Sequence, residues 1–441
     1  MEQEERWRVL EREAARCRFA LDVEGCARAY YEAAASDTYL RSQREHYSSY
    51  LFALHYLPGV TAEAMAEQHR VYGRLYPSEQ SMVWARPSHK KRRVGFLAPH
   101  FCESSSARFY EALMDLPQDV FATYAYSISS EADAFTAQVR AAVAQFRVLP
   151  QDDLERAEQM IASDDLDVLV DLGGHTEGGM TLMLLAHHPA RRIIEAVGWF
   201  DTTGLAAVDE LLTDDVMDPA GGESLLTERP LRLPYAWCFT PNAAMRAARG
   251  ASPAQRGDGT IHLAGFQNFL KLNDALLQMW NEILARVPQA HLHLRDTMQS
   301  PERVIALAQR CKALGLPMER VTIEMGNKDY LADLAHMDFV LDTAPYPGGA
   351  MTATALYLGV PVLTMRGDTH SRNVGASILT AASLPELIAE SPEQYLETAA
   401  ALARDREKLA ALKEKVWEQV PKSALCDTRK YVASWIKMFS A

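Results

Sequence analysis

The sequence predicts an α/β protein in which an all-helical N-terminal region precedes two Rossmann-like lobes that face each other across a cleft. Two series of apolar strands alternating with helical segments support this prediction, one starting at Val94 and one at Thr260. A Pro- and Gly-rich loop at residues 345–349, between a buried strand and a helix, is the third observation. Ligands of such sheets bind beyond the carboxyl ends of the strands, so the cleft is where we expect a site.

Residues 1–85 are predicted to form the helical region. Ala, Glu, Arg, Leu and Tyr recur at helical spacing from Glu2 to about Tyr76, and Pro77 ends the pattern. Its Tyr and Trp residues are expected to pack in a core rather than to cage a ligand. A short polar linker from Arg86 to Arg93 follows.

The first lobe is predicted over residues 91–245 and the second over 258–390. In the first lobe we expect strands at 94–98, 121–128, 166–172, 193–200 and 210–214, with helices at 135–146 and 178–188. In the second we expect strands at 261–266, 290–296, 321–325, 339–342 and 361–365, with helices at 275–287, at 301–315 and from near Thr352. Residues 391–441 are expected to be helical and to cross back as a brace on the first lobe.

Composition excludes several classes of protein. The chain has 441 residues, 48% of them hydrophobic, which suits a globular protein of two or three domains. Lys and Arg total 45 against 58 acidic residues, and this net charge of -13 argues against nucleic acid as a partner. The one dense basic run, at residues 90–93, is explained by a solvated linker.

The sequence also indicates a cytoplasmic protein without a membrane span. The six cysteines have no CxxC pairing or metal-ligand spacing and are expected to be reduced thiols. The N-terminus lacks the apolar core of a signal peptide, and no later run approaches the roughly 18 apolar residues that a membrane span needs.

The glycine loop is the most informative local feature. Gly348 and Gly349 follow the strand FVLD and precede a helix, whose unpaired N-terminal amides and dipole favour an anion such as a diphosphate. The alternative is an ordinary tight turn, because the loop has neither the spacing of a dinucleotide fingerprint nor a P-loop lysine.

A lysine strengthens the first interpretation. Lys271 lies in the first loop of the second lobe, where its ammonium group can reach over the strand ends to phosphate oxygens. The alternative is a solvated lysine at a helix start. No acidic pair of the DxD type lies at the glycine loop, so we expect no dependence on a metal ion, and no metal-binding residues are predicted in the chain.

The chain resembles the catalytic region of the O-linked N-acetylglucosamine transferase family, particularly its bacterial members, which have the two-lobed GT-B fold. The matching segments cover roughly nine-tenths of the chain and follow the same order as in the family. It is carried by residues 47–77, by RVGFLAPHF, LDVLVDLGGHTEGG, VGWFDTTG and LLTDDVMDP, and by residues 266–288, 341–365 and 405–419.

The resemblance implies a set of residues for the nucleotide-sugar donor. Lys271 falls on the diphosphate-binding lysine, which makes it a catalytic candidate. The other implied positions are the amides Gln267 and Asn268, the loop residues Gly348 and Gly349, Met325 where backbone groups hold the uracil, and Tyr330 beside the base.

The chain departs from the family at several of these positions. Ala350 and Met351 replace two hydroxyl residues, and Thr354 replaces an acid that reaches the ribose; Thr352 and Thr354 are the candidates to supply hydroxyls instead. On the acceptor side, Ser104 stands where the family has a cleft histidine. Either His100 or no residue takes that role.

Three further sites have a functional and a structural interpretation. His175 follows a buried strand, so it is a candidate catalytic residue or a loop histidine tied to a backbone carbonyl. Thr202 and Thr203 either line the acceptor side or form a turn. Of the residues after the strand at 361–365, His370 is the candidate for donor binding, while Gly367 and Asp368 suit a helix cap.

The predicted function is an inverting, metal-independent glycosyltransferase that moves N-acetylglucosamine or a hexose from a UDP-sugar to a cytoplasmic protein. UDP-sugar is a co-substrate, and no cofactor is expected. The first alternative is a catalytically weak or inactive subunit that binds the acceptor or an active partner enzyme, and the second is an enzyme acting on a small molecule or lipid. The N-terminal helices are a candidate surface for homo- or hetero-oligomers.

Overall fold

The computed structural model describes residues 2–76, 81–85, 87, 89–253 and 259–440. Of the predicted boundaries, residues 1, 258 and 441 lie outside these ranges, as do Pro77 and Arg86.

Two parallel sheets form the framework of the chain. The first has the order β3-β2-β1-β4-β5-β6-β7 and the second the order β10-β9-β8-β11-β12-β13. Their strands are β1 (Arg92–Ala98), β2 (Phe121–Ser127), β3 (Gln145–Val148), β4 (Val168–Asp171), β5 (Ile193–Glu195), β6 (Glu210–Thr213), β7 (Arg229–Arg232), β8 (Ile261–Phe266), β9 (Ala290–Arg295), β10 (Val321–Glu324), β11 (Phe339–Leu341), β12 (Val362–Met365) and β13 (Ile388–Ala389).

Helices surround both sheets and form the N-terminal region. They are α1 (Glu2–Ala20), α2 (Val23–Ser36), α3 (Leu40–Leu54), α4 (Ala62–Gly73), α5 (Ala107–Tyr110), α6 (Ala134–Ala142), α7 (Leu154–Ala162), α8 (Met180–Met183), α9 (Ala243–Arg249), α10 (Asp274–Arg286), α11 (Pro301–Ala313), α12 (Tyr330–Ala335), α13 (Ala350–Tyr357), α14 (Val374–Ala381), α15 (Pro392–Arg404), α16 (Arg406–Gln419) and α17 (Thr428–Ser440).

The predicted fold class is confirmed: a helical region precedes two Rossmann-like lobes with parallel sheets. The central strands are buried on both faces, as β1, β4 and β8 illustrate. Apolar runs of this kind suit parallel strands, because helices cover both sides of the sheet.

Several predicted elements have different bounds. The helix expected over 135–146 ends at Ala142, and its last residues belong to β3, a half-exposed edge strand. The strand expected over 193–200 ends at Glu195, since Val197 has a φ of 73° that an extended strand does not allow. The helix expected over 178–188 is reduced to α8, because Gly178 and Gly179 also have positive φ.

The C-terminal helix α17 packs on the first lobe. The rings of Phe439 and Phe121 lie 6.1 Å apart, and the Tyr431 hydroxyl donates to the Ala236 carbonyl at 3.1 Å. Trp435 is fully buried in the same cluster. The chain therefore returns to its first lobe after completing the second. No helix among the described residues has the length and apolar character that crossing a bilayer requires.

Candidate active site

A cavity of about 740 Å³ lies between the two lobes, where loops that follow the parallel strands converge. The first lobe contributes His100, Ser104 and Phe200 to its wall, among other residues. The second contributes Gln267, Asn268, Lys271, Tyr330, Tyr346, Gly349, Ala350, Met351 and Thr354. This volume is in the range that holds a small-molecule ligand of nucleotide size.

The glycine loop is held by a buried carboxylate at the end of β11. Asp342 accepts hydrogen bonds from the Gly348 amide at 2.7 Å and, through its other oxygen, from the Thr364 hydroxyl at 2.9 Å. Burial raises the pKa of the Asp342 carboxyl, and these two bonds oppose the rise. Asp342 thus fixes where the loop turns towards α13.

Both loop glycines are required by close packing. A Cβ atom on Gly348 would lie 2.4 Å from Nε2 of Gln267 and 2.6 Å from Oγ1 of Thr352. On Gly349 it would lie 2.9 Å from the ring of Phe200 in the other lobe. Gly349 immediately precedes α13 and has no side chain that could cap the helix. The first backbone amides of α13 therefore donate no hydrogen bond to a side chain at this position.

Lys271 lies against this loop. Its Nζ donates to the Pro347 carbonyl at 2.9 Å and to Oε1 of Gln267 at 3.4 Å, and it lies 4.9 Å from the ring centre of Tyr346. Burial lowers the pKa of Lys271 to about 8, although the carboxylate of Asp342 acts in the opposite direction. An ammonium group in this position would be stabilised by an anionic ligand.

Two polar atoms beside Gly348 have no protein partner. Among the described residues, Nε2 of Gln267 and Oγ1 of Thr352 are buried and lack a hydrogen bond. Such atoms cost folding free energy unless a ligand or water satisfies them. Both atoms lie beside Gly348, in the loop that Lys271 contacts before the start of α13, where a bound phosphate group would supply the missing partners.

Asn268 lines the same cavity, but half of its amide is already used. Its Oδ1 accepts from the Leu270 amide at 3.1 Å and from Arg303 at 2.7 Å. Arg303 in turn forms a fully buried ion pair with Asp296. The scaffold therefore fixes the oxygen of Asn268 and leaves its nitrogen as the group that can reach a ligand.

The positions predicted for the base lie at different depths. Tyr330 begins α12 and is half-buried in the cavity wall, and burial raises the pKa of its hydroxyl. Met325 follows β10 with 46% of its surface exposed, and its side chain is not part of the described cavity wall. Thr354 is buried and faces the cavity, as an alternative hydroxyl requires.

On the acceptor side, His100 and Ser104 both line the cavity. The Ser104 hydroxyl accepts from the Ala107 amide at 3.2 Å, so it also starts α5. Nδ1 of His100 accepts from the Cys102 amide at 3.2 Å. A neutral His100 therefore carries its proton on Nε2 and can donate a hydrogen bond from that atom.

His175 has the contacts expected of a structural loop histidine rather than those of a catalytic residue. Its Nε2 lies 2.9 Å from the Thr203 carbonyl and its Nδ1 2.9 Å from the Ser48 hydroxyl, so both ring nitrogens are occupied. Burial, followed by the neighbouring His69, holds the pKa of His175 well below its usual value. This side chain lines a second cavity of about 400 Å³ beneath the N-terminal helices rather than the donor cleft.

Thr202 and Thr203 lie in the scaffold, which corrects their placement on the acceptor side. Both are buried, and both hydroxyls donate to the carboxylate of Glu228. The Thr203 amide donates to the same carboxylate at 2.7 Å. Neither side chain lines the described cleft.

His370 also lies away from the donor cavity, which corrects the prediction of donor binding. Its Nδ1 is 2.6 Å from Oδ2 of Asp218, so the two residues join the second lobe to the first. Burial lowers the pKa of His370, but the carboxylates of Asp218, Asp201 and Asp214 together outweigh burial and leave the pKa above its usual value. The pair is a contact between lobes.

Sequence reasoning missed three residues of this region. Asp342 was treated as the end of a strand, although a buried acid before a glycine loop is a signal for a loop anchor. Tyr346 stacks on Phe200 across the cleft at 5.9 Å. Glu177 has a left-handed backbone with φ of 48° and borders the donor cavity, the second cavity and a third one beside the first lobe. No sequence signal distinguishes it from other loop acids.

The family model of Glycosyl transferase family 41 matches residues 75–247 and 250–435. The chain belongs to glycosyl transferase family 41. The resemblance and fold inferred from the sequence are thereby confirmed.

Curated relatives of this family 41 chain include plant proteins. It is 31% identical over 401 residues to a Solanum lycopersicum protein named "Probable UDP-N-acetylglucosamine--peptide N-acetylglucosaminyltransferase SPINDLY", covering 86% of this chain and 42% of that protein. The Arabidopsis thaliana protein of the same name is 30% identical over 394 residues, with the same coverage. The chain therefore spans less than half the length of these relatives.

Solved structures show the same architecture. A mutant of the Thermobaculum terrenum O-GlcNAc transferase superimposes with a TM-score of 0.86 at 26% identity, covering 96% of this chain and 81% of that one. Anabaena HepE in complex with UDP and glucose gives a TM-score of 0.51 at 12% identity, covering 80% of this chain and all of that one. At 12% identity, the similarity to HepE shows a shared fold and nothing about function.

Proposed function

We propose that this family 41 chain is an inverting glycosyltransferase that moves N-acetylglucosamine or a hexose from a UDP-sugar to a protein acceptor. The observation that carries the proposal is the position of Lys271 against the Gly348-Gly349 loop, at the start of α13. The names of the SPINDLY relatives and of the Thermobaculum enzyme support a UDP-sugar as the donor and a protein as the acceptor.

In the proposed reaction, an acceptor hydroxyl or amide attacks the anomeric carbon from the first-lobe side while the bond to the diphosphate breaks, and the proton of the acceptor passes to the released diphosphate or to water. Negative charge grows on the leaving diphosphate, and the ammonium of Lys271 stabilises it. Gln267 Nε2 and the Thr352 hydroxyl add hydrogen-bond donors, and the amides of α13 add the positive end of a helix dipole. This arrangement does the work of a cation, so transfer needs no added metal.

The donor site is tested by calorimetry with UDP. Lys271→Ala should weaken UDP binding by about 100-fold, equivalent to about 2.7 kcal/mol, because a charge-assisted contact is lost. The matched control is Lys328→Ala, since Lys328 also lines the cavity but makes no described contact with the glycine loop. It should change affinity by less than about threefold. Equal losses in the two variants would contradict the proposed role of Lys271.

Transfer itself is tested with a panel of UDP-sugars and candidate polypeptides, with mass spectrometry of the products and NMR of the new anomeric centre. Turnover should not depend on added Mg²⁺ or Mn²⁺ and should survive brief treatment with EDTA. Strict dependence on either metal ion would refute the metal-free mechanism, and retention of the anomeric configuration would refute inversion.

A second function is favoured by the wall of the cavity itself. Ala350 and Met351 face the donor space where the family has hydroxyl residues. These changes suit a subunit that binds a nucleotide or a polypeptide but transfers sugar weakly or not at all. Lys271-dependent binding of UDP without any transfer product would support this second function.

A further inference from the structure

Outside the donor cleft, three buried side chains of the metal-ligand type converge where the helical region meets the first lobe. His55 follows α3, His69 lies in α4, and Asp201 lies in the loop after β5. One donor atom of each lies within 4.8 Å of the others. Their exposed fractions are 4%, 0% and 5%, so bulk water does not solvate them.

The two imidazoles present unpaired nitrogens to this point. Nε2 of His55 and Nε2 of His69 are buried and have no hydrogen-bond partner among the described residues. Nδ1 of His69 lies 2.9 Å from the Met65 carbonyl, so it carries the ring proton and leaves a lone pair on Nε2. Nε2 of His55 lies 3.7 Å from Oδ2 of Asp201, beyond hydrogen-bond distance.

The carboxylate is held in place by its own partners. Oδ1 of Asp201 accepts from the Thr202 amide at 2.8 Å, and Oδ2 accepts from the Ser371 hydroxyl of the second lobe at 3.2 Å. Together with the bond from His69 to Met65, these are the outer contacts that orient metal ligands in proteins. Two buried nitrogens without a hydrogen-bond partner would otherwise disfavour folding.

We propose that His55, His69 and Asp201 bind one transition-metal ion, with Zn²⁺ as the best match. Two imidazole nitrogens and one carboxylate oxygen are a common donor set for Zn²⁺, whereas Mg²⁺ and Ca²⁺ prefer oxygen ligands alone. Three protein donors leave a fourth tetrahedral position for a water molecule. The ion would join α3 and α4 to the first lobe.

This site is separate from the proposed donor site. None of the three ligands lines the described cleft, although the ring of His55 lies 5.4 Å from that of Tyr346, which does. The metal-free mechanism of transfer is therefore unaffected, and the metal proposal stands or falls independently of UDP binding. Because the ligands are buried, brief exposure to EDTA should not remove the ion.

The first test measures metal content by mass spectrometry after expression with added zinc and purification without chelators. We expect about one zinc ion per chain in the wild type. His69→Ala and Asp201→Ala should each lower the content at least about tenfold, as loss of even an outer-shell partner does in known sites. The matched control is His336→Ala, because Nδ1 of exposed His336 lies 2.7 Å from the Ala332 carbonyl at the same helical spacing. It should keep the ion.

The second test replaces zinc by Co²⁺, and its main measurement is made on the wild-type protein, so it still tests the proposal if a variant does not fold. Four-coordinate Co²⁺ bound by nitrogen and oxygen gives visible absorption bands, which should change in Asp201→Asn. A wild-type chain that holds neither zinc nor such a spectrum would overturn the proposal. So would retention of zinc by His69→Ala and Asp201→Ala at the level of His336→Ala.

Discussion

The carboxyl ends of the two sheets carry similar polar residues but use them in different ways. In the second lobe, Gln267 and Thr352 keep buried polar atoms that no described residue pairs, beside the loop that Lys271 contacts in the cleft wall. In the first lobe, His175 and Thr203 form every hydrogen bond that their side chains can reach within the scaffold. A polar residue after a strand thus indicates binding only where its hydrogen-bonding capacity remains available.

The largest expected effect tests the first lobe. Glu228→Ala should lower the free energy of unfolding by about 3 kcal/mol, since it leaves the protons of two buried threonine hydroxyls and of the Thr203 amide without their acceptor. UDP affinity of the folded variant should stay within about twofold of wild type. Urea unfolding and calorimetry measure the two quantities.

The control for that experiment is Glu223→Ala, which removes an exposed acid paired with Arg232 and should leave the urea unfolding curve close to that of the wild type. Should Glu228→Ala abolish UDP binding while stability is preserved, the first lobe would be a ligand site and the contrast between the lobes would be lost.

The second effect is a pH dependence of the second lobe. The pKa of Lys271 is about 8 without ligand, and a bound diphosphate should raise it. Affinity for UDP should therefore be level below about pH 8 and fall about tenfold per pH unit above it, as protonation and binding are linked. Calorimetry across this range gives the slope. Lys271→Arg is the control and should show no such slope, because arginine stays protonated.

A pair of isosteric changes gives a smaller effect and compares the lobes directly. Thr352→Val removes an unpaired hydroxyl, so stability should be kept while UDP affinity falls about fivefold, or about 1 kcal/mol. Thr203→Val removes a bonded hydroxyl, so stability should fall by about 1 kcal/mol while UDP affinity is kept. If both variants lose the same property, the proposed difference between the lobes is wrong.

The smallest effect concerns the contact between His370 and Asp218. Since the folded pKa of His370 is raised, the stabilisation is fully present below the unfolded value of about 6.5 and is lost as pH rises through the folded pKa. The melting temperature of the wild type should decline relative to that of His370→Asn over this interval. Parallel melting curves for the two proteins would contradict the assignment.

Much of the fold could be predicted from the sequence, because parallel strands that are buried on both faces have sequences of consecutive apolar residues. The edge strands β3 and β7 of the first sheet could not: β3 is half-exposed and follows an Ala-rich helix, and β7 contains Pro230. The end of β5 was also missed, because the positive φ of Val197 is set by packing rather than by residue type.

The candidate site divides in the same way. Lys271 and the two glycines were found because their chemistry is local to a loop and a helix start. His175, Thr203 and His370 were misplaced because their partners, Ser48, Glu228 and Asp218, lie far away in the sequence. Long-range pairing of polar groups cannot be read from a single sequence.

The return of α17 to the first lobe has a consequence for how the protein is made. Phe121 and Ala236 contact residues that leave the ribosome only after the whole second lobe has been translated. A nascent chain therefore displays an unfinished apolar face on its first half for most of its synthesis. Chaperone demand during translation, and failure of the first half to fold when expressed alone, should both follow from the placement of this one helix.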